Sequence, residues 1–259
     1  MHDIFTDAMN RIADSARKVR EQMKIPLPKR FYKEVSAAPY GYEDGFAVLL
    51  DGSRVMTPAL RPLNLPTKAL ADLIADEFRL QREVIDRALM PVTRLANTVI
   101  DGIVDDSQPI VEDILRFVAT DMLFYRAVSP RKLAIRQNEQ WNPLLDWVER
   151  EIGAYFVIGE GVMHIEQPYE AVLAVSLYLR RFTSPFALAA LHAITTLTGS
   201  ALIALGIATG EIDIAKGWRL AYLDEDWTAE QWGQDIEAMA HRSYRKNEMH
   251  AAVAVLATI

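Results

Sequence analysis

Residues 182–210 contain no Asp, Glu, Lys or Arg, and this uncharged stretch of 29 residues constrains the fold more than any other feature. A single helix of this length would span a bilayer, and Gly206 and Gly210 have the GxxxG spacing of paired membrane helices. Threonines, a histidine and three glycines dilute the apolar character, however, and Gly199-Ser200 interrupts the stretch as a turn would. We therefore predict two buried helices of a helical bundle, without stable membrane insertion.

The overall composition excludes several classes of protein. The chain has 259 residues, of which 51% are hydrophobic and 24% charged, as in an ordinary globular protein. A net charge of -7 argues against nucleic acid as a partner, because phosphate backbones are bound by clustered Lys and Arg. There is no cysteine, and no HExxH, GxxxxGK[ST], GxSxG or GxGxxG motif. We therefore expect no metal, no cofactor and no catalytic residue.

Residues 1–27 are predicted to form an N-terminal amphipathic helix that ends at the proline-marked linker IPLPKR. Its aspartates Asp3, Asp7 and Asp14 are unlike a signal peptide or a transit peptide. We expect this helix to pack on its own domain, although its basic second half would also suit a membrane surface or an acidic partner. The acidic, untargeted N-terminus favours a cytoplasmic location in a bacterium.

Residues 28–105 are predicted to form a small α+β domain with antiparallel strands. Short aromatic or β-branched segments lie near residues 31–36, 46–50 and 54–57, and LLDGSRVMT is a good hairpin signal. From Thr67, whose type and position predict an N-cap residue, the pattern becomes helical.

Residues 106–259 are predicted to form a C-terminal helical domain. Pro109 is well placed at a helix start, residues 154–167 return to a strand pattern, and almost everything after Pro168 is helical. No repeat of 20 to 50 residues is visible, which argues against a solenoid. The fold class is therefore α+β, mostly helical, with the small sheet domain followed by an orthogonal helical bundle.

The stretch EDWTAEQWGQDIEAMAHR, residues 225–242, is predicted to be one helix that begins near Thr228. Within it, Trp232, Ile236 and Met239 fall on one apolar stripe. A glycine inside a helix costs about 1 kcal/mol relative to alanine, so Gly233 requires an explanation.

Two explanations of Gly233 remain open from spacing alone. The glycine could leave a notch beside Glu237 that another backbone approaches closely. Alternatively, it could let a neighbouring helix of the same chain pack closely, with Glu237 pairing with His241.

Two groups of polar residues provide an alternative, enzymatic reading. Asp101, Asp105 and Asp106 are the densest acidic group in the middle of the chain, and they suit a hard-cation site, a carboxylate pair or a solvated helix end. Glu230, Glu237 and His241 share a polar face and could act as a general acid and base of a small-molecule enzyme.

The five tryptophans are expected to be core or interface anchors.

A series of motifs carries a family resemblance over about residues 28–240. They are RFYK (30–33), LLDGSRVMTPA (49–59), LPTKALADLIADEF (65–78), MPVTRLANTVID (90–101), TDMLFYRA (120–127), WNPLLDW (141–147), TGSALIALG (198–206) and LDEDWTAEQWGQDIEA (223–238). In this order they resemble the assembly chaperone family of the F-type ATP synthase that attends its α subunit.

The resemblance implies a non-catalytic chaperone without a cofactor, working in the bacterial cytoplasm or, in a eukaryote, the mitochondrial matrix. Its partner would be the unassembled α subunit, kept from aggregating until the β subunit pairs with it. The family's important glutamate matches Glu225 or Glu237, and the notch argument favours Glu237. We place Trp227, Trp232 and Gly233 on the same partner-binding face, and we expect a monomer.

Overall fold

The computed structural model describes residues 26–40, 45–233 and 235–259. The predicted helix of residues 1–27 lies almost entirely outside the described residues, and it stays a prediction. The described chain begins with an irregular segment that approaches the end of the first helical region, where Lys29 pairs with Val84 in an isolated antiparallel bridge.

A three-stranded antiparallel sheet follows, in the order β1 (Val35–Pro39), β2 (Phe46–Leu50) and β3 (Ser53–Arg54). The turn between β2 and β3 has positive φ at both central residues, 49° at Asp51 and 82° at Gly52, as a type I′ hairpin requires. The predicted hairpin is therefore confirmed. The strand predicted at 31–36 is displaced to β1, and the one predicted at 54–57 is shortened to β3.

Helix α1 (Lys68–Leu80) packs on β1 and β2, and helix α2 (Pro91–Gly102) packs on α1. The hydroxyl of Thr67 accepts a hydrogen bond from the amide of Leu70 at 3.2 Å, which confirms the predicted N-cap. The start of α2 is capped by a residue of α1. The Glu77 carboxylate accepts hydrogen bonds from the amides of Val92 and Thr93, both at 2.7 Å. Burial raises the pKa of Glu77, although these hydrogen bonds and Arg94 oppose the shift.

The remainder of the chain is mostly helical, as predicted. Its helices are α3 (Gln108–Ala119), α4 (Arg131–Ile152), α5 (Tyr169–Leu179), α6 (Pro185–Thr198), α7 (Ala201–Ala208), α8 (Ile214–Ala221), α9 (Leu223–Trp232) and α10 (Ile236–Leu256). The strand pattern of residues 154–167 is reduced to β5 (Gly159–Glu160), which pairs in parallel with β4 (Tyr125–Arg126). The α+β, mostly helical class is confirmed.

The uncharged stretch of residues 182–210 forms two short helices, α6 and α7, as predicted. Gly199 ends α6 with a φ of 71°, and the hydroxyl of Ser200 caps α7 by accepting from the amide of Ile203 at 3.0 Å. Among the described residues, no helix has both the length and the hydropathy needed to cross a bilayer. The apolar character of the stretch instead reflects burial, since all residues from 201 to 207 are buried.

One buried carboxylate fixes the start of α7. Asp121 is fully buried, and its Oδ2 atom accepts hydrogen bonds from the Ser200 hydroxyl at 2.9 Å and the Leu202 amide at 3.1 Å. Its Oδ1 atom accepts from the amide of Leu123 at 3.1 Å. Desolvation nevertheless raises the pKa of Asp121 to about 6.

The hydrophobic core is continuous between the sheet region and the helical region. Helix α2 contacts α1 of the sheet region as well as α6 and α10 of the helical region. Buried side chains from Tyr32 to Val255 belong to one cluster. The predicted domain limits of 28–105 and 106–259 remain a prediction.

Candidate functional site

The residues predicted to bind a partner lie on α9 and at the start of α10. The first turn of α9 carries Asp224, Glu225 and Asp226, at the helix end where the dipole stabilises negative charge. The amide group of Gln137 donates to Asp224 at 2.8 Å, so the base of the helix is tied to α4.

A bidentate ion pair ties the middle of α9 to the same helix. The guanidinium of Arg136 donates to both carboxylate oxygens of Glu230, at 2.7 and 2.9 Å. These hydrogen bonds lower the pKa of Glu230. The same guanidinium lies 5.9 Å from the ring centre of Trp227, which is half-buried beside it.

A second group of cations holds α10 against α9 and the bundle. Arg242 donates to Asp226 at 2.5 Å and lies 4.7 Å from the ring centre of Tyr222. Arg245 donates to the Tyr222 hydroxyl and to the carbonyl of Leu197, both at 2.7 Å. The carbonyl of Leu197 is in the last turn of α6, so this arginine also satisfies a helix terminus.

The structure corrects the prediction of one helix through residues 225–242. Gly233 has φ 89° and ψ 173°, a conformation that is essentially restricted to glycine, and it separates α9 from α10. A Cβ atom at this position would meet nothing within 4 Å. Both explanations of the glycine, a notch beside Glu237 and a close helix contact, are therefore wrong: the glycine is needed for a change of chain direction.

The predicted caps change with the helix break. Thr228 lies inside α9, where its hydroxyl donates to the carbonyl of Asp224 at 2.9 Å, and it does not cap a helix. The N-cap of α10 is Asp235, whose carboxylate accepts from the amide of Glu237 at 3.0 Å.

Three exposed apolar residues lie on either side of the break at Gly233, and we call them the apolar tip. It consists of Trp232, Ile236 and Met239, whose side chains are 86%, 83% and 51% exposed. The prediction that these three residues form an apolar stripe on one helix is wrong. Trp232 is the last residue of α9, whereas Ile236 and Met239 are in the first turn of α10. Exposed aromatic and large apolar side chains are typical of protein interaction sites.

Of the two candidate glutamates, Glu225 precedes this tip in sequence and Glu237 lies between Ile236 and Met239, and both are exposed. Glu225 is in the first turn of α9. Burial raises the pKa of the Tyr222 phenol, Arg245 opposes this rise, and the charge of Glu225 adds to it. Glu237 is in the first turn of α10, and no ion pair joins it to His241 in the described part of the chain.

The residues of the enzymatic alternative have structural partners. Asp101 accepts from the Thr57 hydroxyl at 2.5 Å, Asp105 pairs with Arg61 at 2.9 Å, and Asp106 accepts from the amide of Gln108 at 3.0 Å. Of the polar face on residues 230–241, Glu230 is engaged by Arg136. Within the described ranges, no three His, Asp or Glu residues are grouped so that they could hold a metal ion.

The residues that position this site could not be predicted from the sequence. Gln137, Arg136 and Arg242 are not in a recognisable motif with the acids they bind, and 94 residues separate Arg136 from Glu230. The one sequence feature that indicated such partners was the run of acidic residues in LDEDWTAE. Its negative charge has to be offset by cations or by a helix dipole.

Known proteins resemble this chain in both sequence and structure. Residues 29–149 match the ATP12 chaperone protein family. The Atu1473 protein of Agrobacterium tumefaciens, a candidate chaperone, is 51% identical with a TM-score of 0.88, over 93% of this chain and 89% of that chain. Atp12 from Paracoccus denitrificans is 36% identical with a TM-score of 0.82, over 89% of this chain and 98% of that chain. A point mutant of the Paracoccus protein gives the same TM-score of 0.82 at 35% identity. Since identity above a third extends over nearly the whole of these relatives, the chain belongs to the ATP12 chaperone family.

Proposed function

We propose that this protein binds the unassembled α subunit of the F-type ATP synthase and prevents its aggregation until the β subunit pairs with it. Family membership supports a chaperone, and the name of the family supports an ATP synthase client. A subunit that awaits its neighbour exposes an apolar interface that self-associates. A chaperone that covers this interface is displaced when the larger subunit interface forms, so the cycle requires neither bond chemistry nor ATP.

The exposed apolar tip is the observation that carries this proposal for the site. Trp232 is 86% exposed although a tryptophan normally buries most of its large surface. Aromatic anchors of this kind supply much of the binding free energy of protein interfaces. We infer that Trp232 and Ile236 insert into an apolar depression of the client, with Trp227 supporting the helix from the side facing Arg136.

The ion pairs of α9 and α10 prepare the tip for binding. Arg136 and Arg242 fix the two helices on either side of Gly233, so less conformational freedom is lost when a client binds. The acids around the tip, including Glu225 and Glu237, favour a client surface with basic residues at its edge. We further propose that the free protein is a monomer in the bacterial cytoplasm, or in the mitochondrial matrix of a eukaryote, because self-association would cover the tip.

Co-expression with the α subunit tests the function. We expect the α subunit to become more soluble and to co-purify with this protein, and we expect the Trp232→Ser/Ile236→Ser double variant to lose most of that effect. Leu80→Ser is the matched control, since Leu80 is 77% exposed at the end of α1. Unchanged solubility of the α subunit in the presence of the wild-type protein would refute the proposal.

A further inference from the structure

A second feature suited to binding lies in the sheet region, outside the helices that carry the apolar tip. It is a cleft of about 340 Å³ between the β2–β3 hairpin and α2. Its apolar walls include Val55 and Met56 from the hairpin, Phe78 from α1, and Met90 at the start of α2. The volume is at the lower end of the range for ligand sites, roughly 300 to 1,000 Å³, and fits a few side chains.

The charged residues that line the cleft are all positive within the described ranges. Arg54, Arg87 and Arg94 contribute to the lining, and no described Asp or Glu does. Arg94 is paired with Glu248, whereas Arg54 and Arg87 form no ion pair with any described residue. The cleft therefore favours a ligand that carries a carboxylate.

Carboxylates close to the lining are already engaged. Thr93 and Thr57 also line the cleft, and their hydroxyls donate to Glu77 at 2.6 Å and to Asp101 at 2.5 Å. These two acids offset part of the positive charge, but their hydrogen bonds hold them to the protein. The guanidinium of Arg54 lies 4.5 Å from the ring centre of Tyr40, but no described carboxylate pairs with it or with Arg87, so both can meet a negative group of a ligand.

Two side chains of the lining have unmet hydrogen-bonding capacity. The Nε atom of Arg94 and the Oδ1 atom of Asn97 are buried and have no partner among the described residues. They are a donor and an acceptor three residues apart on α2, a spacing that places both on one face of the helix. A peptide group has the matching acceptor and donor, and an extended polypeptide would pair with both atoms once its entry displaces the side chains that cover them.

The rim of the cleft is apolar and accessible. Phe31 is 75% exposed and Met56 is 45% exposed, and both belong to the lining. An entering segment would therefore contact large apolar side chains before it reached the buried atoms on α2.

We propose that this cleft binds an extended segment of the client in which a bulky apolar residue adjoins an Asp or Glu. The apolar side chain fills the space between Met56 and Phe78, and the carboxylate meets Arg54 and Arg87. The inference rests on the proposed chaperone function and adds a second contact, formed by elements other than α9 and α10.

Photo-crosslinking from the rim tests the location of this contact. The full chain carrying p-benzoylphenylalanine in place of Phe31 is co-expressed with the α subunit, and we expect a crosslink to that subunit. The same replacement at Tyr169, which is 73% exposed on α5, is the control and should crosslink less. Crosslinks from position 31 to residues 1–25 of the same chain, or to a second copy, would overturn the cleft proposal.

Peptide binding tests the chemistry. Overlapping labelled peptides that span the α subunit are titrated with the full chain, and we expect those with an acid beside a large apolar residue to bind. Arg54→Glu/Arg87→Glu should weaken their binding by about tenfold or more, because charge-assisted hydrogen bonds become repulsive contacts. Arg180→Glu, an exposed arginine of the helical region, should leave it unchanged. Equal binding by both variants, or a preference for basic peptides, would contradict the proposal.

The outcomes separate this inference from the proposed function. If the α subunit co-purifies but neither crosslinks to position 31 nor yields acidic binding peptides, the cleft proposal is wrong and the chaperone function stands. If the α subunit does not co-purify and none of its peptides binds, the proposed client is wrong, and the cleft proposal is overturned with it.

Discussion

Arg136 of α4 donates hydrogen bonds to both carboxylate oxygens of Glu230 in α9, at 2.7 and 2.9 Å. The two side chains are 35% and 51% exposed, so water screens their attraction. The geometry of the pair nevertheless defines the direction of the helix that ends at Trp232. We infer that the pair matters more for the orientation of α9 than for the stability of the fold.

Arg136→Gln is therefore expected to weaken client binding while changing the unfolding free energy little. The physical reason is that an exposed pair contributes little to folding, whereas a loosened α9 must be ordered again when the client binds. Urea unfolding and titration with the α subunit measure the two effects. Lys68→Gln, which breaks the exposed Lys68–Asp72 pair on α1, is the control and should affect neither. A large loss of stability in Arg136→Gln without a loss of binding would contradict this prediction.

The two candidate glutamates can be ranked by charge reversal. With the notch argument removed, we expect Glu225→Lys to weaken client binding more than Glu237→Lys, because Glu225 lies on the helix that Arg136 and Gln137 hold in place. The loss should be roughly tenfold for a carboxylate that makes a charge-assisted hydrogen bond to the client. Titration of the α subunit with each variant checks the ranking, and Glu225→Gln separates loss of the charge from its reversal. A larger effect at Glu237 would reverse our assignment.

Gly233→Ala should destabilise the protein by about 1 to 3 kcal/mol, because alanine rarely adopts the conformation between α9 and α10. The cost is conformational, since an added Cβ has open space around it. Urea unfolding measures it. Gly102→Ala is the matched control: Gly102 is the last residue of α2, it also has open space, and the change should be neutral or stabilising. Equal effects of the two substitutions would show that the backbone conformation is not the cause.

Asp121 should make stability decrease as the pH rises. Its pKa is raised to about 6 in the folded protein from an ordinary value of 3.8, so the folded state holds its proton more strongly than the unfolded state. The contribution of this group is therefore fully present below about pH 4 and is lost as the pH rises to about 6, by about 3 kcal/mol.

The variant Asp121→Asn isolates this contribution from those of other carboxylates. The difference in unfolding free energy, wild type minus variant, should fall between about pH 4 and about pH 6. Urea unfolding across this range measures the difference. A difference that is constant or that rises with pH would show that the buried carboxyl group does not titrate as proposed.

Local signals in the sequence predicted most of the fold. The Asp51-Gly52 turn, the Thr67 cap and the Gly199-Ser200 break each rest on the conformational preference of one or two residues, and each is present in the structure. The absence of charge in residues 182–210 likewise predicted that this segment is buried. Charged side chains are rarely buried without partners, so a long segment without them can be buried at little cost.

The candidate site was predicted only as a set of residues, and its arrangement was not. Residues 225–242 have a pattern that suits one helix, yet Gly233 adopts a φ of 89° and splits it. Whether residues 225–242 form one helix or two depends on where Arg136, Arg242 and Arg245 hold α9 and α10. These contacts join residues that are distant in sequence or that lie on opposite sides of Gly233. Periodicity reports which face of a helix is apolar, but it does not report whether tertiary contacts continue the helix or redirect it. For this reason, the sequence determined the elements and the buried surfaces, and only the tertiary structure decided that the chain turns at Gly233 and leaves Trp232 and Ile236 exposed on either side of the turn.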